Sequence, residues 1–304
     1  MKLFSAILIS LVMCSMCFAE DISKVSLPLE VKEEMKISGD DPSIQGKQWN
    51  RWESENFVVC ALNDTQTQYL HEHLELVKAW ALTRWGLGDA PFTAECRLLC
   101  VDDAAMFEKL FGLKKSTAEI RRSADGKIKL SIIYLLTDNK PSRVVPVPLT
   151  EVCISEFNQR WSEYWGWWAY RGMSILNGSI DQIKSNLINL NDDIKENRTV
   201  YFGKSLFEMT REQYLALPAD KQEAFDRSSV VLCLMVRKEF GQEKSLRLLK
   251  KTANRSDPEL ALQELYRFKN YADFDLTFKK YMADLCHDIA IGKTPVSYLQ
   301  IKEK

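Results

Sequence analysis

Hydrophobic rhythm changes character part-way along this chain. Before Leu136, apolar runs of strand length recur three times: Phe57-Val58-Val59-Cys60, Cys96 to Val101, and Lys127 to Leu136 after the turn Asp125-Gly126. Between them lie stretches with apolar residues at helical spacing. Beyond Asn177 every periodic stretch is helical. Strands and helices alternating at the front and helices alone at the back predict an α+β fold: a small N-terminal sheet packed with helices, then an all-helical C-terminal part.

Start and stop signals place the helices. Leu70, Leu74, Val77, Ala81 and Leu82 recur at helical spacing from Thr65 to Trp85, with Gly86 at the end. Asp102-Asp103 opens a short helix around Ala105 to Phe111, with carboxylates at its positive end. A loop with Pro141, Pro146 and Pro148 leads to an aromatic-rich helical pair, about 149–165 and 167–177. Farther on, Asp226 is a candidate cap for a helix through Phe240, closed by Gly241. Gln242 to Ala253 is the next helix, Asp257-Pro258 starts another, and a last one runs from about Asp273 to Ile289.

The N-terminus reads as an address. Met1-Lys2, an apolar stretch from Leu3 to Phe18, and small residues before Glu20 describe a secretory signal peptide cut after Ala19. No later segment is long and apolar enough to span a bilayer. The expectation is an exported chain, secreted or periplasmic, with no membrane span after cleavage. Residues 20–48 are polar and read as a leader or arm; 49–180 and 181–304 are the predicted α+β domain and helical subdomain. With 41 Lys+Arg against 42 Asp+Glu, the chain lacks the basic surplus of a nucleic-acid binder. Six cysteines remain after the signal: Cys60, Cys96, Cys100, Cys153, Cys233 and Cys286. An oxidising compartment permits disulfides among them, but Cys60, Cys100 and Cys233 sit in apolar runs where buried free thiols are common. No CxxC occurs, so the usual structural zinc spacing is missing.

The helical pair carries Ile154-Ser155-Glu156-Phe157-Asn158-Gln159 and then Trp168-Ala169-Tyr170-Arg171-Gly172. With the strand and helix order before it and the helical tail after it, this layout resembles the peptidase MA-like (gluzincin) metallopeptidase domain, and among its members the exported bacterial DUF1570-type proteins. The likeness covers most of residues 50–285 and lies in layout more than identity. It implies a zincin-like fold. In that family the first helix carries HExxH and the second roughly W-x-x-E-G: two His one turn apart and a Glu hold zinc, and the Glu beside the first His acts as general base. Laid on that pattern, Ser155 and Gln159 occupy the two His positions, Glu156 keeps the general-base position, and Arg171 stands where the third ligand belongs. The gap from Gln159 to Arg171 is shorter than the family leads one to expect.

Ser and Gln are poor zinc ligands, and a guanidinium cannot ligate a cation at all. Without the metal nothing lowers the pKa of a water, and Glu156 has no activated nucleophile to serve. The resemblance therefore implies no metal, no cofactor and a vestigial site of Ser155, Glu156, Gln159 and Arg171. Arg171 is expected to supply the lost positive charge and pair with Glu156. Trp165, Trp168 and Tyr170 are candidate walls of an inherited cleft that holds a peptide or protein beside Leu130 to Leu136 by β-addition; core packing is the plainer role for such an aromatic cluster.

Elsewhere the candidates are thin. His71 and Glu75 share a helix face at i,i+4 while His73 points away, which gives two metal ligands at most. No GxSxG occurs, and Ser155 has no identifiable His partner. Sequons at Asn63, Asn177, Asn197 and Asn254 matter only in a eukaryotic secretory pathway. Three functions stay open: a catalytically inactive metallopeptidase-like protein with a binding or scaffold role in the cell envelope, an active peptidase or hydrolase with an atypical site, and a structural secreted protein with no working cleft.

Overall fold

The computed structural model describes residues 33–36 and 48–291, apart from 63, 89, 138–144, 162–163, 179, 196–199 and 254–255. The segment read as a signal peptide and Pro141 lie outside the described residues. Strands β1 (Glu33–Lys36), β2 (Gln48–Glu53) and β3 (Phe57–Ala61) come first, then α1 (Asp64–Arg84), β4 (Glu95–Val101), α2 (Ala104–Phe111), β5 (Thr117–Arg122) and β6 (Ile128–Leu136). The rest is helical: α3 (Pro146–Trp161), α4 (Trp167–Leu176), α5 (Ile180–Lys195), α6 (Gly203–Phe207), α7 (Arg211–Leu215), α8 (Ala219–Lys251), α9 (Pro258–Tyr266) and α10 (Tyr271–Ala290). The chain is α+β, a mixed sheet with helices followed by an all-helical part.

The sheet order is β1-β2-β3-β4-β6-β5. Its centre, β3-β4-β6, is parallel; β2 and β5 pair antiparallel with β3 and β6. Both faces of the centre are covered, which is why β3, β4 and β6 read as unbroken apolar runs instead of alternating ones. Phe57, Val59, Leu98, Ile133 and Leu135 belong to the main core, which also holds residues of α1 and α3. Cys60, Leu99, Val101, Ile132 and Tyr134 face the other way and pack with Phe107 of α2. The main core runs on through Leu176, Phe225, Val230 and Phe278, so helices from both halves of the chain share one interior.

Several boundaries differ from the sequence reading. Strand β5 forms in a stretch to which the sequence reading assigns no element, and β1 falls within the segment read as a loose arm. Helix α3 starts at Pro146, earlier than expected, because proline in a first turn gives up no hydrogen bond. It stops at Trp161, short of 165. Helix α8 starts at Ala219, so Asp226 lies inside it and caps nothing. Gly241, at φ 78° and ψ 174°, breaks it where the sequence predicts a stop. Other caps stand as expected: Asp103 accepts from the Met106 N–H at 2.6 Å, and Asp257 accepts from the Glu259 N–H at 2.9 Å behind Pro258.

Gly172 shows why α4 and α8 pack so closely. A Cβ at this position would lie 2.5 Å from both the Ser229 carbonyl oxygen and the Cys233 sulfur. Only a residue without a side chain allows that approach. Among the described residues no helix is long and apolar enough to cross a membrane.

Candidate functional site

Helix α3 presents its residues to two different neighbours, and the division follows from 100° per residue. Glu151, Ser155 and Asn158 share the face toward α4. Glu156 lies five positions beyond Glu151, about 140° around the helix, and faces the segment before β4. Ser155 and Gln159 lie only about 40° apart, and it is their partners that keep the expected zinc positions from converging: Gln159 turns to Thr93 and the Ile128 N–H, and Arg171 to Asp226 and Glu151.

On the first face, Arg171 of α4 is fully engaged. Its Nε and one terminal nitrogen donate to both oxygens of Asp226 on α8, at 2.8 and 2.7 Å, and its other terminal nitrogen donates to Glu151 at 2.5 Å. The Tyr214 hydroxyl of α7 donates to the same Asp226 at 3.2 Å, and the guanidinium lies 5.4 Å from the Tyr214 ring. Each charged side chain retains about 15% exposure or less. Burial opposes the charge on Arg171, but Asp226 and Glu151 outweigh it and hold the guanidinium firmly protonated. Burial pushes the Glu151 carboxyl above its ordinary value; Arg171 pulls it back and Asp226 adds to the rise. The expected Arg171–Glu156 pair is not formed, because Arg171 finds its carboxylates one turn before Ser155 and on α8.

On the second face, Glu156 is buried and accepts from the Thr93 N–H at 2.8 Å and the Thr93 hydroxyl at 2.6 Å. Its other oxygen is buried with no hydrogen-bond partner. Gln159 donates to the Thr93 hydroxyl at 2.5 Å and accepts from the Ile128 N–H at the start of β6. The Thr93 hydroxyl thus links the two side chains, accepting a hydrogen bond from Gln159 and donating one to Glu156. Glu156 and Gln159 fasten α3 to the sheet, and neither lies with Arg171.

The aromatic residues divide as well. Trp165 and Trp168, expected as cleft walls, are 5% and 2% exposed and belong to the core. Trp168 meets Phe207 edge-on at 5.4 Å. Their size and apolarity place them inside once α4 packs on α8. Tyr170 is half-buried; its hydroxyl accepts from Asn158 at 2.6 Å, and its ring stacks on Trp167 at 5.3 Å. Burial raises the Tyr170 phenol, against the hydrogen bonds of Ser155 and Asn158. Arg211 of α7 lies over the Trp167 ring at 5.8 Å. Strand β6, expected to offer an edge, is paired on both sides; among the described residues the unpaired edge next to it belongs to β5.

The remaining candidates resolve locally. Glu75 accepts from the Ser54 hydroxyl and the Asn56 N–H through one oxygen and from the Asn56 amide through the other, so it braces the β2–β3 turn. The side chain of His71 lies outside those described. Among the described residues no group of three or more His, Cys, Asp or Glu is placed to hold a metal ion. The six described cysteines are all buried. Burial lifts the Cys60 thiol to about 11 and Cys96 well above its ordinary value, which makes them poor nucleophiles. Asn177 is buried, accepting from Trp85 and donating to Thr150, and cannot carry a glycan in the folded chain.

Sequence reasoning missed Glu151, Asp226 and Tyr214 as members of the Arg171 cluster. Glu151 was within reach of it, standing four residues before Ser155 and so on the same helix face. Asp226 and Tyr214 arrive from distant helices, and no local spacing announces them. No known family model and no curated protein matches this chain.

Proposed function

We propose that this chain is a non-hydrolytic, metallopeptidase-like protein of the cell envelope that binds an extended peptide or protein segment along the free edge of β5. The observation that carries the reading is the engagement of Arg171. Where the resembled family needs a carboxylate for zinc, this chain has a cation, and that cation is held by Asp226 and Glu151. Ser155 and Gln159 complete a donor set that does not suit zinc. The group the family would require does not fit these residues, so no hydrolytic step is derived through it. What remains usable is the edge: unpaired backbone groups of β5 can hydrogen-bond an incoming strand.

The test is direct. Protein spanning residues 20–304, purified without a histidine tag, is dialysed with and without added zinc, and bound zinc per chain is measured. Labelled peptides are titrated in parallel. Less than stoichiometric zinc together with saturable peptide binding is expected. One tightly held zinc per chain, or no peptide binding, would overturn the proposal.

A further inference from the structure

Two arginines near the Trp167–Tyr170 stack form no direct ion pair with a carboxylate among the described residues. The first is Arg122. Ala118, Ile120 and Arg122 share the sheet face that α3 covers, whereas Glu119 and Arg121 point to the other face, where Tyr134 donates to Glu119 at 2.8 Å. A bulge falls at this place: Arg121 pairs with Leu130 and Arg122 with Ile128, leaving Lys129 as the extra residue. Bulges commonly re-aim side chains beside functional surfaces. The exposed Arg122 guanidinium donates to the Gly126 carbonyl at 2.9 Å, and its charge works against the burial that raises the Tyr170 phenol. Lys129 is exposed as well.

The second is Arg211. It is exposed, lies on the face of Trp167, and Trp167 stacks on Tyr170. Of the acids around it, Glu151 and Asp226 are held by Arg171, and Glu212, the next residue in the chain, is exposed, with its carboxyl lowered by hydrogen bonds and in part by the Arg211 charge. Tyr170 and Trp167 form an aromatic floor flanked by two guanidiniums, Arg122 and Arg211, with Glu212 the exposed acid next to Arg211. Free guanidiniums beside aromatic faces recognise carboxylates well, because the fork matches two oxygens and the ring carries the stem.

Resting on the peptide-binding reading above, we propose that the segment bound at the β5 edge is acidic, with its carboxylates taken by Arg122 and Arg211 across the Trp167–Tyr170 floor. Complementary charge there selects the partner and steers its approach.

The experiment compares three fluorescein-labelled hexapeptides of alternating sequence, Glu-Ala, Ser-Ala and Lys-Ala, by anisotropy with the full mature chain. The Glu-Ala peptide is expected to bind most tightly and to weaken as salt rises from about 0.05 to about 0.5 M, where screening shortens from over 10 Å to a few ångströms. Arg122→Gln and Arg211→Gln are each expected to weaken Glu-Ala binding by about tenfold, the size of one lost charge-assisted hydrogen bond, with circular dichroism unchanged. The double variant Arg122→Glu, Arg211→Glu is expected to prefer the Lys-Ala peptide. Equal binding of all three peptides, unaffected by either glutamine variant, would overturn the charge selection and leave the β5-edge reading standing. Binding of none of them would overturn both.

Discussion

At the scale of single residues, Arg171 carries the buried charge between α3, α4 and α8. A buried cation between two buried carboxylates is held by its partners, and removing it strands both of them. Arg171→Met is expected to cost about 3–5 kcal/mol in urea unfolding, the usual result of orphaning a buried charge. Adding Glu151→Gln and Asp226→Asn to that variant should recover part of the loss, since neutral amides carry a smaller desolvation cost. Glu151 gives a second, independent prediction. Its folded-state pKa is raised, so the native chain holds that proton more tightly than the unfolded chain does. Its contribution is full below the unfolded glutamate value and is lost as pH rises through the raised one. Compared with Glu151→Gln, the natural chain should therefore lose stability as pH climbs out of the mildly acidic range. Denaturation midpoints of the two proteins that move in parallel across that range would count against a raised Glu151.

At the scale of elements, the pairing of α4 with α8 depends on Gly172. A methyl group there would meet a backbone carbonyl and a thiol at 2.5 Å, and the carbonyl cannot move without bending α8. Gly172→Ala should destabilise the protein by about 1–3 kcal/mol, as overpacking does, despite alanine's better helix propensity. The helix caps were readable because they are local: Asp257-Pro258 and Asp103 act within one turn of chain. Replacing Asp257 by alanine should cost about 1 kcal/mol, measurable in the same unfolding assay. Strand β5 was unreadable for the opposite reason. Thr117-Ala118-Glu119-Ile120-Arg121-Arg122 has too few apolar residues to announce a strand. It becomes one because β6 offers it a pairing edge and Glu119 finds Arg121 and Tyr134.

At the scale of the whole molecule, the main core draws on residues from Phe57 to Cys286. Helix α4 buries its inner face against α8, and α3 lies between the sheet and α4. A fragment of residues 49–180 would expose that face to water. It is expected to lack a cooperative unfolding transition, whereas a chain of residues 20–304 is expected to show one; a fragment that melts sharply by itself would show that the sheet half carries its own core. Sequence alone was enough for the α+β class, the strand and helix alternation, most caps and the unsuitability of Ser155, Gln159 and Arg171 as zinc donors. These depend on periodicity, on turn chemistry and on the ligand properties of side chains, all of which are local. The partners of Arg171, the retreat of Glu156 onto Thr93, the burial of Trp165 and Trp168 and the ownership of the free edge by β5 were decided by tertiary structure. Each depends on which helix face meets which neighbour, a choice settled by the joint packing of segments far apart in the chain.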